Sequence, residues 1–246
     1  MPATMQSTRP DSRPTATYAE AYYRDKLLGL VSPETEWIDL GCGRQLLPEW
    51  LRDSESDQKY LASRCKRLVG IDAVADDVMR HPYLHERVVG NLLRLPFDDN
   101  SFSLSTARSV AEHIDQPSRF LSEVFRVLKP GGRFLFATPN YLYYQCFAAS
   151  LTPRPLKNRI IRMLEGRAER DIFKTYYRMN TRARVGKLIH DAGWQLESLE
   201  TVEGPDEFVR LGRPIVDLER AITAALRCNW LQSFRAVIVA VVRKPQ

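Results

Sequence analysis

Short apolar runs alternate with longer amphipathic stretches through the middle of this chain. Four runs have the length and composition of buried strands: Trp37–Leu40, Leu68–Asp72, Ser101–Leu104 and Phe134–Phe136. Before the last of them, Phe120–Lys129 has the apolar spacing of a helix and ends at Pro130-Gly131-Gly132. Strands that alternate with helices predict an α/β fold with a parallel sheet.

The first run ends in a turn that suits a ligand. It reads Asp39-Leu40-Gly41-Cys42-Gly43, and its two glycines remove the Cβ atoms that would keep a ligand off the backbone. In a parallel sheet this turn lies at the carboxyl end of a strand, where small ligands bind. Leu46 occupies the third glycine position of the Gly-x-Gly-x-x-Gly dinucleotide fingerprint, so the turn does not complete that motif.

Four motifs in order resemble the class I S-adenosylmethionine-dependent methyltransferase family. They are Asp39–Gly43, Gly70–Asp72, Leu95–Phe97 and Arg126–Gly132, and the likeness extends from about Trp37 to Asn140. The chain departs from the family at Gln45, where a third glycine is frequent, and at Ser103, where an aspartate is frequent. The resemblance implies a Rossmann-like, doubly wound, mostly parallel sheet with an antiparallel last strand. Residues 194–202 and 236–242 are the candidates for its final pair.

The same resemblance implies the cofactor, S-adenosylmethionine, and a set of residues that contact it. Asp39 would order the turn or meet the amino acid end of the cofactor, and Asp72 would hold the ribose hydroxyls. The other implied contacts are the backbone of Gly41, Cys42 and Gly43, the adenine neighbours Asn91 and Leu92, and the backbone near Ala107 and Arg108. The alternative interpretations are that Asp72 is a solvated loop acid and that Asn91 is a turn residue.

Catalysis by this family requires little of side chains, because the sulfonium already activates the methyl group. Proximity and alignment of the acceptor supply most of the rate. His113, which follows the third apolar run, is the candidate base, and the alternative is a structural histidine bonded to a neighbouring loop. The spacing of His81 and His85 does not indicate a metal site.

Composition favours one compact unit in a reducing compartment. The chain has 246 residues, 44% of them hydrophobic, and four widely spaced cysteines that suggest no disulfide framework. We expect a disordered leader at 1–17 and a single domain at 18–246, with insertions at about 141–180 and 205–232 over the pocket. The polar segment Arg52–Lys66 is expected to be an exposed excursion. Because no signal peptide is recognised, the predicted location is cytoplasmic.

Positive charge is concentrated in one segment. Residues 154–187 contain eleven basic and three acidic residues, which is a larger excess than the +6 of the whole chain. Three interpretations remain open: a solvated helix face, a surface for an anionic substrate or an anionic membrane, and a nucleic-acid surface. The second would place the protein at the inner face of a membrane. The absence of an amino-methylating motif after the third apolar run makes nucleic acid unlikely.

Together these features predict methyl transfer to a small-molecule, lipid-linked or saccharide acceptor by in-line displacement. The segment Asp171–Thr181 also looks like that of methyltransferases with such acceptors. A non-catalytic cofactor-binding protein of the same fold is the first alternative, and a nucleic-acid methyltransferase is the second.

Overall fold

A computed structural model describes residues 18–146, 174–204, 217, 221–226 and 228–246. The strands are β1 (Glu36–Leu40), β2 (Arg67–Asp72), β3 (Glu86–Val89), β4 (Phe102–Arg108), β5 (Leu128–Pro139), β6 (Gln195–Val202) and β7 (Val237–Arg243). The α-helices of six or more residues in the described part of the chain are α1 (Tyr18–Leu30), α2 (Ser54–Arg64), α3 (Ala75–Arg80), α4 (Pro117–Val127) and α5 (Arg182–Asp191). Two 3₁₀ turns occupy Ala111–His113 and Asn229–Phe234.

The strands form one seven-stranded sheet in the order β3-β2-β1-β4-β5-β7-β6. The first five strands in that order pair in parallel, whereas β7 runs antiparallel to both β5 and β6. The predicted doubly wound sheet with an antiparallel last strand is therefore confirmed. The predicted final pair is confirmed too, because β6 and β7 are hydrogen-bonded neighbours.

The edge strand β3 was not predicted. It pairs with β2 from Val69↔Glu86 to Asp72↔Val89, and three of its four side chains are exposed. An edge strand with one partner does not need an apolar run, so the sequence pattern that revealed the buried strands gave no sign of it. The run predicted as the third strand is consequently the fourth, β4.

Two hydrophobic cores cover the two faces of the sheet. One core packs Ile38 and Phe136 of the sheet against α4 and α5, with Phe120 and Leu188 among the helical contributors. The other packs Trp37 of β1 against α1, α2 and α3. Because neighbouring residues of a strand point to opposite faces, Trp37 and Ile38 belong to different cores.

The prediction of an exposed excursion at Arg52–Lys66 is wrong. Ser54–Arg64 forms α2, which buries Gln58 and Leu61 against the sheet. Gln58 Oε1 accepts hydrogen bonds from Leu46 N at 2.8 Å and from Leu47 N at 3.2 Å, so it satisfies the backbone of the loop after β1. The segment looks hydrophilic because its charged residues lie on the outer face of α2, while its buried face includes the polar Ser54 and Gln58.

Several predicted segments lie outside the described residues. These are the leader at 1–17 and most of the two insertions, 147–173 and 205–216. Part of the second insertion is helical at 221–225. Within the residues that the structure describes, no helix is both long enough and apolar enough to cross a bilayer.

Candidate functional site

The turn after β1 has the backbone conformation that its glycines allow. Gly41 has φ 65° and Gly43 has φ 52°, both in the left-handed region. A Cβ atom at Gly41 would lie 2.5 Å from Val110 Cγ2, whereas a Cβ atom at Gly43 would meet nothing within 4 Å. Position 41 therefore requires glycine for packing, and position 43 leaves open space beside the backbone.

Asp72 joins this turn to the end of β2. Its Oδ2 accepts a hydrogen bond from Gly43 N at 3.0 Å, and its Oδ1 accepts one from Val74 N at 2.9 Å. A carboxylate has about four acceptor positions, so each oxygen retains capacity for a ligand hydroxyl. Asp72 is half-buried and held by backbone donors, which is not the solvated loop acid of the alternative reading.

Asp39 lies beneath the turn and is only 7% exposed. Its Oδ1 accepts a hydrogen bond from Thr106 Oγ1 at 2.5 Å, and Thr106 Oγ1 accepts one from Trp37 Nε1 at 2.7 Å. Burial raises the pKa of Asp39 to about 7, although the Thr106 hydroxyl and the Arg108 charge oppose that rise. The carboxyl group therefore titrates near neutral pH, and a nearby ligand cation would favour its ionised form.

Cys42 can contribute its backbone but not a reactive thiol. Burial raises the pKa of the thiol well above its usual range. A Cβ atom at Gly70 would lie 2.8 Å from Cys42 Sγ, so the glycine in β2 makes room for this side chain. The cysteine side chain fills the space between the turn and Gly70 of β2, so Cys42 offers a ligand its backbone groups.

Asn91 and Leu92 lie in a turn that follows β3. Asn91 Oδ1 accepts a hydrogen bond from Leu93 N at 2.9 Å, which is the turn role of the alternative reading. Asn91 is exposed, and the half-buried Leu92 packs against the core beside α4. The amide nitrogen of Asn91 has no hydrogen bond within the described residues, so a turn role and a ligand role are compatible.

The end of β4 presents a cation. Ala107 is buried, so it offers its backbone alone, while Arg108 Nη1 lies 3.7 Å from Glu20 Oε1 of α1. Arg108 Nε is buried and has no hydrogen-bond partner among the described residues. Arg108 also acts electrostatically on Asp39 beneath the turn, so its charge is suited to a ligand carboxylate there.

His113 is bonded to a segment distant in sequence. Its Nδ1 lies 3.0 Å from the carbonyl oxygen of Lys174, so that ring nitrogen carries the proton and donates it. Its Nε2 lies 4.0 Å from Glu112 Oε1. The bond to Lys174 O is the contact expected of a structural histidine bonded to a neighbouring loop.

A buried polar network next to His113 was missed from the sequence. Glu112 is 5% exposed, and burial raises the pKa of its carboxyl group. Thr138 Oγ1 donates to Glu112 Oε2 at 2.9 Å and accepts from Asn180 Nδ2 at 2.7 Å. The backbone oxygen of Glu112 accepts from Tyr176 N at 2.7 Å. Residues 174–180, which we call the strap, are thereby fixed across the ends of β4 and β5.

The chemistry of these groups fits S-adenosylmethionine. The cofactor has a ribose diol, an ammonium, a carboxylate and a sulfonium, but no phosphate. Asp72 offers acceptors for a diol, Arg108 offers a charge for a carboxylate, and the space beside Gly43 lets a ligand approach the backbone. Within the described ranges, no group of three or more His, Cys, Asp or Glu residues is placed to hold a metal ion.

Comparison with known proteins gives matches over the segment that contains the glycine turn, Asp72 and His113. Residues 38–136 match the model of a family described as "Methyltransferase domain". A Mycolicibacterium smegmatis protein, "Probable S-adenosylmethionine-dependent methyltransferase", is 39% identical over 88 residues, covering 34% of each chain. Demethylmenaquinone methyltransferase of Paenarthrobacter aurescens is 36% identical over 109 residues, covering 41% of this chain and 40% of that protein. The matches thus span about a third to two fifths of these relatives.

Solved structures share the fold over nearly the whole chain. An S-adenosylmethionine-dependent methyltransferase from Mesorhizobium loti is 18% identical with a TM-score of 0.58, covering 92% of this chain and 97% of that one. Geranyl diphosphate C-methyltransferase from Streptomyces coelicolor, solved with geranyl diphosphate and S-adenosyl-L-homocysteine, is 18% identical with a TM-score of 0.56. That match covers 92% of this chain and 77% of the other. At these identities the likeness establishes the fold.

Proposed function

We propose that this chain is a class I S-adenosylmethionine-dependent methyltransferase, and that it transfers the methyl group of that cofactor to a small-molecule, lipid-linked or saccharide acceptor. The matches over residues 38–136 support the family assignment. The observation that carries the proposal is the hydrogen bond from Gly43 N to Asp72 Oδ2 at 3.0 Å, which joins the glycine turn and the acid at one sheet edge.

Each residue near the turn has a proposed role toward the cofactor. Asp72 would bind the ribose hydroxyls, Asp39 would act electrostatically on the amino acid end, and Arg108 would face the carboxylate. The remaining proposed contacts are the backbone of Gly41, Cys42, Gly43 and Ala107, and the adenine neighbours Asn91 and Leu92. The buried position of Asp39 favours action through charge, because its known hydrogen bond is to Thr106.

The contribution of the chain to the reaction would be positional. The bound cofactor supplies an activated methyl group, and the protein holds the acceptor close, aligned and away from water. His113 Nδ1 donates a hydrogen bond to Lys174 O, so this nitrogen carries a proton and cannot act as the base. We propose that His113 helps to place the strap and is not an essential base.

The acceptor side would be the end of β4 and β5 beneath the strap. The described part of the basic segment contains Lys174, Arg178, Arg182, Arg184 and Lys187. These charges favour an anionic acceptor or an acceptor presented at the inner face of a membrane. In the second case the protein would be cytoplasmic and would bind the membrane peripherally. Residues 154–173 of that segment lie outside the described part of the chain.

Calorimetry with S-adenosylmethionine and S-adenosylhomocysteine tests the cofactor site. Replacing Asp72 by Ala should weaken binding by about 1.5 to 3 kcal/mol, the usual scale for hydrogen bonds to a charged group. Asp191→Ala is the matched control, because that exposed acid pairs with Lys187 on α5. Equal affinity for wild type and Asp72→Ala would exclude Asp72 from the site, and no binding by a folded wild type would contradict the proposal.

A further inference from the structure

A concave surface lies at the carboxyl edge of the sheet, on the side of β4 and β5. It has a volume of about 600 Å³, and its wall includes Asp115, Ser118 and three arginines: Arg119, Arg178 and Arg184. Helices α4 and α5 both start at this edge, since each follows a strand whose carboxyl end lies there. We call this surface the arginine groove, and it begins two residues after His113.

The three arginines reach the groove from separate elements. Arg119 comes from the first turn of α4, Arg178 from the strap and Arg184 from the first turn of α5. Arg119 Nε donates to Leu93 O at 3.0 Å, and Arg178 Nη1 donates to Asp115 O at 2.7 Å. These bonds to carbonyl groups orient two guanidiniums and leave most of their five N–H donors available.

The positive charge of the groove is offset only in part by neighbouring acids. Glu123, one turn along α4, interacts electrostatically with Arg119 but forms its ion pair with Arg126. Among the described residues, no carboxylate forms an ion pair with Arg119, Arg178 or Arg184, and Asp115 is the one acid in the wall. Three guanidiniums and one carboxylate leave the lining cationic. Ion pairs do form elsewhere on the surface, for example Lys187 with Asp191 one helical turn further along α5.

The two helix starts add to this potential. The first turns of α4 and α5 contain no acid, and Gln116 caps α4 without a side-chain hydrogen bond. A helix N-terminus carries a partial positive charge, which makes a nearby cation unfavourable and a nearby anion favourable. Arg119 and Arg184 therefore lie where arginines cost stability unless an anion compensates them.

We propose that the arginine groove binds a phosphate or carboxylate group of the methyl acceptor. The inference rests on the proposed function, because the groove lies at the sheet edge that would hold the acceptor. Planar guanidiniums bind such groups through paired hydrogen bonds, so three of them select an oxyanion. The group could belong to a soluble phosphate ester or to a lipid headgroup.

Calorimetry with inorganic pyrophosphate as the probe tests the groove directly. Arg178→Gln and Arg184→Gln should each weaken binding at least about tenfold, the effect of losing one charged hydrogen bond. Arg182→Gln is the matched control, because Arg182 is also exposed and in the first turn of α5 but does not line the groove. A loss of the same size in Arg182→Gln would overturn the proposal, since it would reveal diffuse surface charge.

Vesicle sedimentation distinguishes the two sources of the anion. Phosphatidylglycerol vesicles should retain the protein in an Arg178-dependent way if the source is a headgroup, and phosphatidylcholine vesicles should not. Absence of binding to both pyrophosphate and anionic vesicles would refute the groove as an anion site.

The same proteins should be titrated with S-adenosylhomocysteine. Its affinity should be the same for wild type, Arg178→Gln, Arg184→Gln and Arg182→Gln. If pyrophosphate bound but the wild type bound no S-adenosylhomocysteine, the proposed function would fail, and with it the assignment of the anion to a methyl acceptor. If S-adenosylhomocysteine bound and pyrophosphate and vesicles did not, the groove proposal alone would fail.

Discussion

The two halves of the carboxyl edge of the sheet are built in different ways. The half at β1 and β2 relies on backbone groups: Gly43 N, Val74 N and the turn at Gly41 are arranged around one carboxylate, Asp72. The half at β4 and β5 relies on side chains, where Glu112, Thr138 and Asn180 form a buried chain of hydrogen bonds.

This difference determines what each half tolerates. A turn made of backbone donors depends on conformation, so it fails when a side chain forces the backbone to move. A network of buried side chains depends on its partners, and it fails when one member leaves another without a hydrogen bond. We therefore expect the first half to keep its shape when a side chain of the second is removed.

The largest expected effect is that of Gly41→Ala. At φ 65° the new side chain costs about 1 to 2 kcal/mol, and its contact at 2.5 Å with Val110 Cγ2 adds an overpacking cost of about 1 to 3 kcal/mol. Gly193→Ala is the control, since Gly193 has φ 75° but nothing within 4 Å of its Cβ position. Urea unfolding and S-adenosylhomocysteine titration would measure both variants. Equal destabilisation would show that the Val110 contact relaxes.

Asn180→Ala should affect only the half at β4 and β5. It removes the hydrogen bonds from Asn180 Nδ2 to Thr138 Oγ1 at 2.7 Å and to Pro139 O at 2.9 Å, and it should lower the free energy of unfolding by about 1 to 3 kcal/mol. Affinity for S-adenosylhomocysteine should stay close to that of wild type. A loss of affinity as large as that of Asp72→Ala would show that the two halves are coupled.

Stability should depend on pH through Asp39. Its pKa is about 7 in the folded protein, against 3.8 ordinarily, so between these values the folded form holds a proton that the unfolded chain has released. The contribution of Asp39 is therefore fully present below pH 3.8 and declines as the pH rises toward 7, by up to about 1.4 kcal/mol per pH unit. Asp39→Asn should remove this part of the slope in unfolding measured from pH 5 to 8. If wild type and Asp39→Asn had the same dependence of unfolding free energy on pH, Asp39 would already be ionised at pH 5 in the folded protein.

The smallest expected effect is that of His113→Gln. Because Nδ1 is bonded to Lys174 O, the residue should contribute mainly by placing the strap. Once an acceptor is known, turnover should fall by less than the 100-fold or so that a working base contributes. A larger loss, together with a pH–rate profile that loses one ionisation, would establish His113 as the base.

Much of the fold followed from patterns along the chain. The alternation of apolar runs and helix-like stretches predicted the parallel sheet, and the family likeness supplied the antiparallel pair β6 and β7. The pattern failed at β3, whose side chains are mostly exposed, and at α2, where the buried Gln58 interrupts the apolar face. In both places the hydrophobic signal was weak because burial is partial or polar.

The sequence by itself determined the glycine turn and the acids near it, because Gly41, Gly43 and Asp72 impose local backbone and charge requirements that a short motif can express. The tertiary structure alone decided which polar groups meet at the other half. His113 bonds to Lys174 across 61 positions, and Thr138 bonds to Asn180 across 42. Such pairs leave no periodicity in the sequence, since each hydrogen bond depends on how the strap folds back over the ends of the strands. The arginine groove arises in the same way, from residues that only the crossing of α4, the strap and α5 brings together.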